Sequence, residues 1–132
     1  MNKFLLDTNI CIYYLKGLYN LESKIKEVGL ENCFISEITI AELKYGIENS
    51  ENKEENMEII QDFIESIQIL PIISSFEVYA KEKVKLRKQG KIIDDFDLLI
   101  GSTAVANNLI LVTRNINHLN RIDNIKIENW IE

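Results

Sequence analysis

Four short stretches carry polar groups where packing alone does not call for them. Asp7 ends the apolar run Phe4-Leu5-Leu6 and is followed at once by Thr8 and Asn9. Glu42 lies in SEITIAELKYG, Asp97 in DDFDLLIGSTA, and the run LILVT passes into Thr113-Arg114-Asn115. In an open parallel sheet, residues just past the carboxyl end of a strand face the crevice where ligands collect. Carboxylates gathered there repel one another and hold protons too tightly unless a cation sits among them. Oxygen donors without His or Cys select Mg²⁺ or Mn²⁺ over zinc, and these ions keep several waters while binding substrate phosphates. The chemistry this set suits is phosphodiester cleavage, in which the metal polarises a phosphoryl oxygen, orients a hydroxide and stabilises the departing 3′ oxygen.

Each group also has a plain structural use. Asp7 can cap the helix that follows it, and Glu42 can close a capping box with Thr39. Asp97 can answer a helix dipole, and Asn115 can serve a turn. Four polar groups at corresponding topological positions nevertheless favour a shared site over four separate accidents.

The elements that must position them read as strands at Phe4–Leu6, Cys33–Ser36, Ile67–Ile73, Leu109–Thr113 and Ile125–Glu128, with helices between. That alternation predicts a parallel sheet flanked by helices. Leu18, Leu21, Ile25 and Val28 recur at helical spacing, as do Met57, Ile60, Phe63, Ile64 and Ile67, and both stripes read as core. Ser74-Ser75-Phe76-Glu77 has the pattern of a capping box opening a helix that runs to Gly90. Asp94 or Asp95 can cap the next helix, which carries Phe96, Leu99, Ile100 and Ala104 inward. No linker or repeat divides the 132 residues, so residues 1–132 are expected to form one domain.

With 46% hydrophobic and 27% charged residues, the composition is that of a folded chain rather than a disordered one. No secretory leader is evident and no apolar run approaches a membrane span, so a soluble cytoplasmic protein is expected. Cys11 and Cys33 have no CxxC context and read as reduced core thiols; His118 reads as structural. A net charge of −6 and a pI near 4.9 argue against a general polyanion binder. The charge is uneven, however. Residues 48–65 hold seven acids and one lysine, whereas 81–91 hold six bases and one acid. Lys81, Lys85 and Lys88 share a helical face, with Arg87 and Lys91 nearby, and this face is a candidate track for a phosphate backbone. Arg114 is a second phosphate candidate, since a guanidinium pairs bidentately with phosphate; a structural ion pair is the alternative.

The blocks LDTNICIYYLKG, ISEITIAELKYGIENS, QGKIIDDFDLLIGSTAVANNLILVTRNINHLNRI and IENW, in that order and over nearly the whole chain, resemble PIN-domain ribonuclease toxins of the VapC type. The resemblance implies a three-layer α/β/α fold with a mainly parallel sheet of about five strands. It implies a metal-dependent endoribonuclease, with transfer RNA a frequent target, a toxin homodimer, and a cognate antitoxin in the active-site groove. The family's acids fall on Asp7, Glu42 and Asp97, which are then the catalytic and Mg²⁺ or Mn²⁺ ligands. Its fourth acidic position falls on Asn115, which brings an oxygen but no charge; Asp95 is a partial substitute or a helix cap. Thr8, Asn9, Ser36 and Thr113 would hydrogen-bond the carboxylates and hold their orientation, with ordinary helix capping as the alternative for Thr8 and Asn9. The missing acid also permits a second reading, an idle domain of this fold that binds RNA or protein. A receiver or a haloacid-dehalogenase phosphatase fits poorly, since Asp7-Thr8-Asn9 lacks the second aspartate that such a phosphatase needs.

Overall fold

A computed structural model describes residues 2–131. Five strands, β1 (Phe4–Leu6), β2 (Cys33–Ser36), β3 (Gln68–Leu70), β4 (Ile110–Val112) and β5 (Lys126–Glu128), form one sheet in the order β3-β2-β1-β4-β5. Every pairing is parallel, with Leu5 opposite Phe34 on one side and opposite Leu111 on the other. The helices are α1 (Thr8–Leu15), α2 (Leu21–Val28), α3 (Glu37–Glu48), α4 (Lys53–Ser66), α5 (Phe76–Lys88), α6 (Asp95–Ala106) and the single turn α7 (Ile116–Leu119). No helix among the described residues is long and apolar enough to cross a membrane.

Strand alternation divides the core in two. Phe4, Leu6, Cys33, Ile35 and Val112 point to one face, where Ile10, Cys11, Leu21, Ile25, Leu43 and Phe63 cover them. Leu5 and Leu111 point to the other, beneath Leu86, Leu98, Ile100, Ala104 and Leu119. The result is the expected three-layer α/β/α arrangement, with the central strands buried on both sides as parallel strands usually are. Full burial of each large aliphatic chain contributes roughly 1.5–3 kcal/mol before conformational entropy is set against it. Gly101 lets α6 lie close to the final loop, since a Cβ there would stand 2.5 Å from Ile122 Cδ1.

Several expected details differ. The third strand stops at Leu70 because Pro71 has no N–H to donate, and residues Ile72–Ser75 turn into a 3-10 helix. Ser74 and Ser75 form no capping box; their hydroxyls donate back to the carbonyls of Pro71 and Ile72. Asp94, rather than Asp95, caps α6, accepting from the Phe96 N–H at 3.2 Å. With that register Leu98 turns inward and Phe96 outward. Leu18 precedes α2 and Met57 lies on the wet face of α4, so both are exposed. Cys11 and Cys33 are free and buried, and burial pushes both thiols upward, Cys33 to about 11.

Candidate metal centre

The three acids singled out from the sequence come from three elements that meet at the carboxyl edge of the sheet. Asp7 follows β1 and opens α1, so its backbone is fixed by both. Its N–H donates to the Val112 carbonyl of β4 at 3.0 Å. Its side chain is nearly buried, and each carboxylate oxygen has a donor: the Thr8 N–H reaches Oδ1 at 2.8 Å and the Thr113 hydroxyl reaches Oδ2 at 2.7 Å. Thr113 in turn accepts the Asn115 N–H at 3.0 Å, which fixes the direction of its single hydrogen. Asp7 thus serves as helix cap and as oriented carboxylate together.

Glu42 is held differently. Ser36 starts α3 by accepting the Ile38 N–H at 3.1 Å, which carries Glu42 to the side of α3 facing α1. There the Thr8 hydroxyl donates to Glu42 Oε1 at 2.6 Å, a short charge-assisted bond. Thr8 Oγ1 also lies 3.0 Å from Thr39 Oγ1, and Thr39 is completely buried. A hydroxyl has one hydrogen. With that of Thr8 committed to ionised Glu42, Thr39 must donate to Thr8. The capping box proposed for Thr39 and Glu42 is therefore not what these residues form: Ser36 caps the helix and Thr39 orders the hydroxyl that orients Glu42. Sequence alone assigns Thr39 a place only as a cap; its position one helical turn before Glu42 is the signal for its role in ordering the Thr8 hydroxyl.

Asp97 lies in the first turn of α6 and accepts no hydrogen bond among the described residues. Burial comes first, followed by repulsion from Asp7, Asp94 and Glu42, in pushing its carboxyl up to about 6. Burial likewise raises Glu42, against the Thr8 hydrogen bond and with help from Asp7 and Asp94. Asp7 is raised by burial despite its two donors. No Lys, Arg or His forms an ion pair with Asp7, Glu42, Asp94 or Asp97 among the described residues. Asp94 was weighed only as a cap, yet it adds its charge to both Glu42 and Asp97.

A hard divalent cation suits this set, because the donors are oxygens and their mutual repulsion is answered by no cation of the chain. Among the described residues, no three acids, histidines or cysteines close into a ready-made cage. The arrangement therefore suits an ion that keeps part of its water shell and takes one or two carboxylates at a time, as Mg²⁺ commonly does.

Other candidates lie elsewhere. Asp95 faces α5, where it accepts from Lys83 Nζ and from the Tyr79 hydroxyl, each at 2.9 Å; those donors lower its pKa and take it out of the cluster. Asn115 directs Oδ1 to His118 Nδ1 at 2.7 Å, so its amide oxygen is already engaged. Asn9 is exposed and hydrogen-bonds no carboxylate among the described residues, while Ser36 caps α3 instead of touching one. Lys81, Arg87 and Lys88 are exposed on α5. Lys85 is not available as a phosphate contact: it pairs with Glu82 and Asp123, each at 2.9 Å, and donates to the Arg121 carbonyl at 3.0 Å. Arg114 forms no ion pair among the described residues but lies over the rings of Tyr13 and Tyr19.

Residues 4–125 match the PIN-domain family. The chain is 38% identical to ribonuclease VapC2 of Rickettsia felis over 96% of its own length and 97% of that protein. It is 32% identical to the tRNA(fMet)-specific endonuclease VapC of Shigella flexneri, over 98% of this chain and 99% of that one. Among solved structures, VapBC2 from Rickettsia felis bound to a DNA fragment from its promoter superposes with a TM-score of 0.88 at 35% identity, covering 96% of this chain and 98% of that one.

Proposed function

The chain belongs to the PIN-domain family and, within it, to the VapC ribonucleases, and from that premise we propose that it is a Mg²⁺- or Mn²⁺-dependent endoribonuclease toxin held in check by a cognate antitoxin. The observation that carries the reading is the meeting of Asp7, Glu42 and Asp97 at one sheet edge, where Asp7 raises the proton affinity of Glu42 and both raise that of Asp97, with no cation ion-paired to them among the described residues.

The division of labour follows from how each acid is held. Asp7, fixed by Thr8 and Thr113, is the ligand with least freedom. Asp97 has no donor to compete with and offers its oxygens to the cleft. Glu42, steered by Thr8 and Thr39, faces the same cleft and orients the attacking water. A divalent ion would be held by Asp7 and Asp97 with Glu42 beside them, and would supply positive charge against the phosphoryl oxygens and lower the pKa of a water. Asn115 occupies the fourth acidic position of the family and leaves the far side of the site one charge weaker.

The antitoxin is assigned to the groove of about 390 Å³ between α1, α3 and α4, lined by Ile12, Leu15, Leu43, Ile47, Ile59 and Ile60, with Glu42 in its wall. A peptide seated there covers apolar surface and stands against an acid of the site at once. Self-association into a homodimer is assigned to the opposite layer, where Ile73, Phe76, Val84, Ile92 and Phe96 are exposed on elements that pack on one another. The cytoplasm, where the RNA is, is the proposed place of action, and transfer RNA is the first substrate to assay, given the name of the Shigella relative.

The test is cleavage of RNA with and without Mg²⁺ or Mn²⁺, for the parent and for Asp7→Asn and Asp97→Asn. Metal-dependent cleavage lost in both variants supports the reading; cleavage unchanged in both removes the site assignment. The second reading, a catalytically idle domain binding RNA or protein, is favoured by the engaged amide at Asn115. It predicts RNA binding without cleavage by the parent under either metal.

A further inference from the structure

The basic face of α5 carries exposed cations, yet Lys85 within it is engaged by Glu82 and Asp123. A better-placed cation lies past β4. We propose that Arg114, held by Tyr13 and Tyr19, is the subsite for a backbone phosphate of the RNA adjacent to the one being cleaved; this rests on the ribonuclease reading.

Arg114 immediately follows Thr113, whose hydroxyl binds Asp7. Its guanidinium carbon lies 6.0 Å from the centroid of the Tyr13 ring and 5.7 Å from that of Tyr19, and Nη1 reaches the Tyr13 hydroxyl at 3.4 Å. The rings themselves meet edge to face at 5.1 Å. Tyr19 and Asn20 both adopt left-handed backbone, at φ +59° and +55°. Such conformations are uncommon for a tyrosine and persist where surroundings hold them. Here the kink after α1 brings the Tyr19 ring back against Tyr13 and Arg114.

Arg114 is a cation in a chain of net charge −6. It pairs with no carboxylate among the described residues, and its guanidinium lies instead against the two rings. Tyr13 is six residues beyond Asp7, which is about 9 Å along α1. The guanidinium is thus anchored nearly two turns along α1 from Asp7, and its N–H fork meets no carboxylate among the described residues. That fork matches a phosphate bidentately. The exposed ring of Tyr19 adds a face on which a flanking base can stack.

The experiment measures binding of a fluorescent single-stranded RNA by anisotropy at several salt concentrations, with Asp97→Asn in every protein so that nothing is cut. Adding Arg114→Gln should weaken binding about tenfold at low salt, the loss of one charged hydrogen-bonded contact. It should also flatten the slope of log affinity against log salt by about 0.7, the value for one phosphate on a single strand. Arg114→Lys should retain the slope with part of the affinity, and Tyr19→Leu should fall between Gln and the parent. Unchanged affinity and slope in Arg114→Gln overturn the proposal. So does a lowered melting temperature with RNA affinity intact, which marks a structural staple, and so does a loss confined to antitoxin binding. Failure of the unsubstituted protein to cleave RNA removes the ribonuclease reading alone, because these slopes are measured without cleavage.

Discussion

Asp7 and Glu82 are equally buried, each 7% exposed, and they are kept that way by opposite means. Glu82 sits in α5 with Lys85 Nζ at 2.9 Å and the Asp123 N–H at 3.0 Å, and Lys85 closes the network onto Asp123. Burial works to lower the pKa of Lys85, and the hydrogen bonds it donates to Glu82 and Asp123 outweigh that and raise the value. Asp7 has only neutral donors, with further acids nearby. One region carries its own counter-charge and fastens the last loop to α5; the other leaves its counter-charge to be supplied. Burial alone therefore does not distinguish a structural carboxylate from a functional one, whereas the presence of a partner cation does.

Substitutions should separate the two regions cleanly. The largest effect belongs to Asp97→Asn and Asp7→Asn, each expected to lower RNA cleavage by at least about 100-fold, the scale of losing one electrostatic element of a site. Without metal, Asp97→Asn should not lower the denaturant midpoint, since it removes a repelling charge, whereas Asp7→Asn loses the acceptor of the Thr113 hydroxyl and should lower it. Lys85→Met is the converse: loss of about 2 kcal/mol of stability, from an ion pair left half made, with kcat on a short RNA unchanged. A cleavage defect in Lys85→Met without a stability loss would erase the contrast. Next comes Thr39→Val, expected to reduce kcat about tenfold, with Thr39→Ser restoring it because the hydroxyl is what orders Thr8.

The pH dependence has a definite sign. Asp97 binds its proton more tightly in the fold, at about 6, than at the unperturbed 3.8, so the folded state holds more protons between those values. Metal-free protein should lose stability as pH rises through that window and level off above it, as a series of chemical melts in EDTA will show. Added Mn²⁺ should recover the loss above pH 6 and do little near pH 4, where the proton competes. The smallest effect expected is from Asn115→Asp, which should tighten Mn²⁺ binding only a few-fold by calorimetry, because His118 remains beside the new carboxylate.

The sheet was legible in the sequence because its central strands are apolar runs bounded by turn chemistry; Phe4–Leu6 and Cys33–Ser36 match residue for residue. Asp7 was legible through its place after a strand, and Glu42 and Asp97 through their places in the early turns of helices. What could not be read was rotation and reach. Asp94 and Asp95 differ by one residue, roughly 100° around a helix, and that step decides which faces the acids and which faces Lys83. The partner of Lys85, Asp123, lies 38 positions away in sequence, and no local pattern marks it. Asn9 and Ser36 fit a carboxylate-holding role by composition, but only packing decides which hydroxyls touch an acid.

The order β3-β2-β1-β4-β5 places the first strand at the centre of the sheet, and the Thr113 hydroxyl closes on Asp7 across 106 residues of chain. During synthesis the amino-terminal segment must wait for β4 to emerge before it has a neighbour on that side. A ribosome-bound chain shorter than about that length has a central strand paired only with β2 and an Asp7 lacking one of its two anchors. Hydrolytic competence is thus deferred to the last stage of translation, a delay that the topology imposes without any further device.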